Sequence, residues 1–123
     1  MEYYSHMEWI IIFHPAFRDW LYEQEEDVQD SILAALGLLK QEGPLLARPY
    51  VDTLQGSQYP NLKELRVQHA GEPWRILFAF DPIRQAIVLV GGNKTGDKRW
   101  YKKNIPIAEQ RFTKHLETLE DLN

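Results

Sequence analysis

The sequence predicts a single α+β domain in which the elements follow one another in the order β–α–α–β–β–β–α. Three observations support this order: a short apolar run near the N-terminus, three stretches with apolar residues at helical spacing, and three strand-like runs separated by short turns. A length of 123 residues suits one domain with its own core. Residues 8–119 are interpreted as that domain, and residues 1–7 as an N-terminal extension or a remnant of cloning.

The first half of the chain predicts one strand followed by two helices. Residues 8–13 (EWIIIF) are rich in β-branched and aromatic side chains and too few for a helix, so a buried strand is expected. Pro15 suits the first turn of a helix over about 15–24, and a second helical stripe ends before the Gly-Pro pair at 43–44. A polar, proline-spaced loop is expected over about 44–62.

The second half predicts an antiparallel meander and a final helix. The strand-like runs are residues 63–68 (KELRVQ), 74–80 (WRILFAF) and 86–90 (AIVLV), and the last of these is apolar enough to be central in the sheet. The Ile-Pro pair at 105–106 predicts the start of the C-terminal helix.

The composition excludes several classes of protein. Hydrophobic residues make up 44% and charged residues 26% of the chain, which is typical of a globular protein. No run of about 18 apolar residues predicts a membrane span. The absence of cysteine excludes disulfides, thiolate metal sites and a cysteine nucleophile. The N-terminus shows no secretory leader, so a cytoplasmic setting is expected.

Charge is distributed unevenly along the chain. Residues 1–62 contain three basic and ten acidic side chains, whereas residues 63–114 contain eleven basic and five acidic ones. A polyanion would therefore bind the second half, because local potential steers association more than net charge does. The alternative is an ordinary mixed surface.

Familiar cofactor and metal motifs are absent from the sequence. It contains no GxxxxGK[ST] phosphate loop, no GxGxxG after a strand, no HExxH and no GxSxG. The four histidines are scattered, without a pair at i, i+4. We therefore expect neither a metal site nor a cofactor.

Two arginines on the predicted strands are candidate functional residues. Arg66 lies on the polar face of its strand, and Arg75 lies inside a strand that is otherwise apolar. An arginine in such surroundings requires either a carboxylate partner or an anionic ligand. The internal alternative is a pair between Arg75 and Glu64 or Asp81.

A basic cluster follows the meander in the segment KTGDKRWYKK, residues 94–103. Aromatic rings among cations are typical of single-stranded nucleic-acid binding, because bases stack on rings while cations contact phosphates. A solvated helix face is the alternative. Trp100 is predicted to join the core, and Tyr101 to present its hydroxyl near the basic residues. The RNA-binding candidates in this cluster are Lys98, Arg99, Lys102 and Lys103.

The order of elements and the residues on them resemble the RelE/ParE superfamily of toxins from type II toxin–antitoxin systems, and most of all its HigB-like, phage-related branch. The resemblance covers about residues 8–119 and rests on ELRV at 64–67 followed by WRIL at 74–77. It implies a RelE-like fold, in which a highly twisted antiparallel sheet packs on an N-terminal helical hairpin and a C-terminal helix.

The resemblance also implies an activity and its partners. RelE and HigB relatives are metal-independent endoribonucleases (mRNA interferases) that cut mRNA in the ribosomal decoding site and so inhibit translation. A small helix-turn-helix antitoxin of the HigA type would neutralise this protein.

Functional residues carry over from the family by motif. Arg75 corresponds to the strand arginine at the scissile phosphate, Arg66 to the arginine on the preceding strand, and Lys94 to the basic residue that closes the last strand. Tyr101 lies near the position of a C-terminal tyrosine in several relatives, and His69 is a candidate proton donor and RNA contact. The insertion at 95–97 leaves open which basic residue after the last strand reaches the phosphate.

Two other functions are compatible with the same fold. The ParE branch implies a non-enzymatic inhibitor of DNA gyrase, in which the sheet residues have no catalytic duty. The third hypothesis is a toxin-like protein-binding module whose acidic first half contacts a protein partner.

Overall fold

Residues 8–122 of the chain are described by a computed structural model, in which a five-stranded sheet carries helices on both faces. The predicted extension at residues 1–7 lies outside the described residues. No helix in the described part combines the length and apolarity needed to cross a bilayer. The elements are β1 (Ile10–Phe13), α1 (Pro15–Tyr22), α2 (Glu26–Glu42), a 3₁₀ turn (Gly43–Leu45), β2 (Val51–Thr53), β3 (Leu62–His69), β4 (Glu72–Phe80), β5 (Gln85–Asn93) and α3 (Trp100–Asp121).

The strands lie in the order β1-β5-β4-β3-β2. Strands β3, β4 and β5 form the predicted antiparallel meander. Strand β1 pairs with β5 in parallel, so β5 is an interior strand as predicted, although β4 occupies the middle of the sheet. The α+β class and the overall order of elements are confirmed.

Two hydrophobic clusters fix the helices on opposite faces of the sheet. Helices α1 and α2 pack on one face, where α2 contributes Val28, Ile32, Leu36 and Leu39 at helical spacing. Helix α3 packs on the other face through Ala108 and Phe112. Successive residues of a strand alternate between faces, so Leu65 and Val67 of β3 contact the α1–α2 side. Residues 64 and 66 therefore lie on the α3 side.

The region predicted as a loop, residues 44–62, contains the edge strand β2. Val51 is buried in the core and pairs with Leu65, while Asp52 lies opposite Glu64. Three residues are too few to show the period-2 pattern by which the longer strands were predicted. This correction matters because β2 adds a wall to the candidate site.

Helix α3 begins at Trp100 and not at the predicted Ile-Pro pair, residues 105–106. The Trp100 amide donates to the Asp97 carbonyl at 3.3 Å, and the Asp97 carboxylate accepts from the Arg99 amide at 3.0 Å. Pro106 lies inside the helix on its exposed side. Because proline has no N–H to donate to the Lys102 carbonyl four residues earlier, that carbonyl can bond to water instead. Tyr101 consequently belongs to the first turn of α3.

Candidate active site

The two predicted arginines face each other across neighbouring strands. Arg66 on β3 is the register partner of Arg75 on β4, and Gly92 of β5 continues the same row. Directly opposite residues of an antiparallel pair share a face of the sheet, and like charges in that arrangement repel each other. The row therefore requires negative charge nearby, supplied by the protein or by a ligand.

Glu64 supplies part of that charge. Its side chain is buried, and its Oε1 lies 3.1 Å from Arg75 Nε and 3.7 Å from Arg66 Nε. Both Nε atoms are buried and reach the carboxylate at ion-pair distance without the alignment of a hydrogen bond. Of the two internal partners considered for Arg75, the structure selects Glu64. Asp81 instead contacts His115, at 2.8 Å.

Tyr101 completes this cluster from α3. Its hydroxyl donates to Glu64 Oε1 at 2.7 Å and lies 3.2 Å from Oε2. Burial raises the pKa of the Tyr101 phenol, and the hydrogen bond and charge of Glu64 raise it further, against an opposing effect of Arg75. The phenol therefore keeps its proton at neutral pH. Tyr101 is only partly exposed, and its hydroxyl is held by the Glu64 carboxylate.

Gly92 sets the position of the helix that carries Tyr101. A Cβ at Gly92 would lie 2.4 Å from Trp100 Nε1, so only glycine lets the indole lie directly on β5. Trp100 is buried as predicted and packs edge-on against the Tyr101 ring, with the centroids 5.3 Å apart. Lys94 Nζ lies 5.5 Å from the centroid of the Tyr101 ring, a cation–π distance. The structure thus gathers Arg66, Arg75, Lys94 and Tyr101 on one face.

Arg48 and Asp52 extend the cluster, although the sequence pattern predicts neither as a site residue. Asp52 Oδ2 lies 3.0 Å from Arg48 Nη2 and 3.2 Å from Arg66 Nη2. The Arg48 interaction holds the pKa of the Asp52 carboxyl below its ordinary value, while burial acts in the opposite direction. Together with Arg75 and Glu64, these residues form a chain in which three guanidinium groups share two carboxylates. The cluster keeps an excess of positive charge.

A concavity of about 460 Å³ opens beside the cluster. Its inner wall carries groups from β3 and α3, and its outer wall is formed by Arg48, by β2 and by the loop that follows. The lining residues are Arg48, Asp52, Thr53, Leu54, Gln55, Glu64, Arg66, Tyr101 and Ile105. The site therefore combines uncompensated positive charge with space for a ligand.

The basic cluster lies around the start of α3, next to these groups. The four predicted RNA-binding side chains of this cluster belong to exposed residues, and Lys103 pairs with Asp97 at 3.2 Å. Lys98 and Arg99 lie in the turn before the helix, and Lys102 and Lys103 lie in its first turns. An anionic chain at the site would thus meet further cations here.

His69 is separated from the arginines. It ends β3 on the opposite face, where its Nδ1 lies 2.7 Å from Ser31 Oγ and its Nε2 lies 3.2 Å from Asp27 Oδ2, both on α2. Its ring thus links β3 to α2. Within residues 8–122, no three His, Asp or Glu side chains gather in a group that could hold a metal ion.

The fold is RelE-like. A mutant of the Escherichia coli toxin RelE, solved in the free state, superimposes with a TM-score of 0.59 at 12% identity, over 85% of this chain and 98% of RelE. The toxin–antitoxin complex RelBE2 from Mycobacterium tuberculosis contains a chain that matches with a TM-score of 0.52 at 15% identity, over 70% of this chain and 98% of that one.

Sequence comparison gives the family. Residues 19–113 match the family described as phage derived protein Gp49-like (DUF891). HigB3 of M. tuberculosis, a protein assigned as a toxin, is 51% identical over 102 residues, which cover 82% of this chain and 88% of HigB3. HigB2 of the same organism, also assigned as a toxin, is 45% identical over 104 residues. These residues cover 83% of this chain but only 52% of the longer HigB2. The chain belongs to the Gp49-like family and is HigB-like in sequence, and its fold is RelE-like, as the resemblance predicted.

Proposed function

We propose that this protein is a metal-independent endoribonuclease that cleaves mRNA on the ribosome and so inhibits translation. The main support for this proposal is the pair of facing arginines, Arg66 and Arg75. They belong to a cluster that contains more guanidinium than carboxylate groups. Such a cluster suits a phosphodiester that gains negative charge during reaction. The likeness to HigB relatives, which are assigned as toxins, supports a toxin role for such an activity.

The reaction is a transesterification within the RNA chain. The 2′-oxygen of one nucleotide forms a bond to the adjacent phosphorus while the bond from phosphorus to the 5′-oxygen breaks, leaving a 2′,3′-cyclic phosphate and a 5′-hydroxyl. In this proposal Arg75 and Arg66 bind the non-bridging oxygens and stabilise the charge that builds up on them. Positioning and electrostatics of this kind supply most of the rate enhancement in phosphoryl transfer.

Proton transfer is assigned to the remaining groups of the cluster. Glu64 accepts the proton of the 2′-hydroxyl, since a buried carboxylate beside the arginines is close to any phosphate they hold. Tyr101 is hydrogen-bonded to that carboxylate and acts as its positioning residue. Lys94, whose ammonium lies over the Tyr101 ring, protonates the departing 5′-oxygen.

The RNA chain is held beyond the scissile phosphate by the cations around the start of α3. Lys98, Arg99, Lys102 and Lys103 belong to exposed residues and are assigned to the flanking phosphates. Neutralisation in the cell is assigned to a small antitoxin of the helix-turn-helix, HigA-like type. The solved neighbour RelBE2, a toxin–antitoxin complex, supports an antitoxin partner for this fold.

The test is translation of a defined mRNA in vitro, followed by primer extension. Wild-type protein is expected to produce discrete cuts inside translated codons. Arg75→Ala should lower the cleavage rate about a hundredfold or more, the typical cost of removing one transition-state donor. Arg18→Ala removes an exposed arginine of α1 and serves as the matched control.

Two results would overturn the proposal. One is full cleavage by folded Arg75→Ala protein, verified by circular dichroism. The other is the absence of cleavage by wild type together with inhibition of DNA gyrase supercoiling, which would favour the ParE-like alternative.

A further inference from the structure

Most residues that line the concavity have no role in the proposed cleavage reaction. The cleavage proposed above uses its inner wall, at Glu64, Arg66 and Tyr101, whereas Arg75 and Lys94 do not line it. The remaining lining belongs to Arg48, to β2, to the loop after it and to Ile105 of α3. A volume of about 460 Å³ lies within the range of ligand sites, which hold small molecules in roughly 300–1,000 Å³.

The lining suits a nucleobase. Leu54, Ile105 and the Tyr101 ring offer apolar surface to the faces of a planar heterocycle. Gln55 is exposed and forms no hydrogen bond to residues 8–122, so its amide can both donate to and accept from a base edge. The concavity thus pairs apolar contacts with an available polar group.

The outer wall is held in place before any ligand arrives. Glu109 of α3 accepts hydrogen bonds from the Ser57 hydroxyl at 2.9 Å and from the backbone N–H of Gln58 at 2.7 Å. Tyr59 of the same loop bonds to Thr113 and packs edge-on against Phe112. Because the loop is already ordered against the helix, binding of a base would not carry the entropic cost of ordering this loop.

Arg48 provides the charge at the outer end. Its side chain is 76% exposed, and its ion pair with Asp52 is therefore weak and readily exchanged for another anion. Asp52 is also shared with Arg66, so its single carboxylate does not neutralise both guanidinium groups. A phosphate beyond the base can bind Arg48 without leaving a carboxylate unpaired.

We propose that this concavity binds the nucleotide adjacent to the scissile phosphate, with its base between Leu54 and Ile105, its base edge read by Gln55, and its outer phosphate on Arg48. The inference rests on the proposed ribonuclease function and adds the source of its sequence preference. The class of ligand is a ribonucleotide within a single-stranded RNA.

The first experiment measures sequence preference. Cut sites produced by wild type, Gln55→Ala and the matched control Gln58→Ala are mapped by sequencing of 5′ ends in a translation extract. Gln55→Ala is expected to flatten the base preference at one position next to the cut by about fivefold or more, the usual range for one hydrogen-bonded base contact. Gln58→Ala should retain the wild-type preference.

The second experiment measures the phosphate contact in the purified protein. The probe is a fluorescent RNA made non-cleavable by 2′-deoxy substitution, and its affinity is followed against salt. Arg48→Ala should reduce the slope of log affinity against log salt by about 0.7, the value for one phosphate contact on a single strand. Arg18→Ala should leave the slope unchanged.

The outcomes separate the two proposals. Cleavage by wild type with an unchanged base preference in Gln55→Ala, or an unchanged salt slope in Arg48→Ala, would overturn the subsite and leave the ribonuclease proposal standing. Failure of wild type to cleave mRNA would overturn both.

Discussion

Tyr101 and Glu64 lie 37 residues apart in sequence and are joined by a hydrogen bond of 2.7 Å from the phenol to the carboxylate. The bond ties the first turn of α3 to β3, and it directs Glu64 Oε1 toward both arginines. The helix therefore helps to position the carboxylate that holds the guanidinium groups. The candidate site depends on this contact as much as on the strands.

Tyr101→Phe tests that dependence. The substitution keeps the ring on Trp100 and removes only the hydroxyl, so we expect the free energy of unfolding to fall by about 1.5 kcal/mol, typical of a hydrogen bond to a charged group. The cleavage rate constant should fall about tenfold to a hundredfold because Glu64 loses its orientation. The KM should change little. A wild-type rate constant in this variant would remove Tyr101 from the mechanism.

Glu64→Gln leaves two arginines face to face without their shared carboxylate. Removing one partner of a buried ion pair should lower the free energy of unfolding by about 3 kcal/mol, measured by urea denaturation. Arg75→Met in the same protein removes the repulsion. We expect the double variant to be more stable than Glu64→Gln, with a coupling of about 1 kcal/mol or more. Additive effects of the two substitutions would contradict the ion pair.

The longer elements of the fold were predictable, since their patterns extend over enough residues. Strands β3, β4 and β5 and the stripe of α2 follow ordinary periodicity. The three-residue β2 is too short for that signal. The start of α3 was misplaced because proline favours the first turn of a helix, whereas Pro106 is accommodated on an exposed side further along.

The site was predictable only in part. Arg66 and Arg75 were identified as cations on strands, but the choice of Glu64 over Asp81 depends on the register between β3 and β4. Asp52 lies on the short strand β2 and Arg48 in the turn before it, so the sequence pattern did not reveal either as a site residue. The position of His69 could have been predicted from the sequence. His69 lies three residues after Arg66, and residues an odd number of positions apart in one strand lie on opposite faces of the sheet.

Gly92→Ala tests how the helix start positions the site. The added methyl group would lie 2.4 Å from Trp100 Nε1, so the indole and the first turn of α3 must move. We expect a loss of about 1–3 kcal/mol in the free energy of unfolding, as for other overpacked cores, together with reduced cleavage.

The matched control is Gly37→Ala on the exposed side of α2, where the new Cβ would meet no atom within 4 Å apart from its chain neighbours and the backbone of its own helix. This substitution should stabilise the protein by about 0.5–1 kcal/mol because alanine favours helix. If Gly92→Ala behaved like the control, the close packing of Trp100 on β5 would not position the site.

His14→Asn tests a pH dependence located away from the site. The neutral His14 ring caps α1, since Nδ1 accepts from the Ala16 amide at 3.0 Å. Burial lowers the pKa of His14 below its ordinary value of 6.5, and the positive charge of Arg111 lowers it further. The unfolded chain therefore binds more protons than the folded chain just below pH 6.5. The contribution of neutral His14 to the free energy of unfolding is thus fully present above that pH and is lost as the pH falls through the pKa of His14 in the folded protein.

Asparagine also caps helices and does not titrate, so the variant should keep the cap and lose this part of the pH dependence. Urea denaturation of both proteins at intervals from about pH 7 to about pH 5 measures the difference, to which the histidines common to both contribute equally. The wild type should lose more stability than His14→Asn over this interval. Parallel curves would mean that His14 has the same proton affinity in the folded and unfolded chains, and burial beside Arg111 would then have no net effect on its titration.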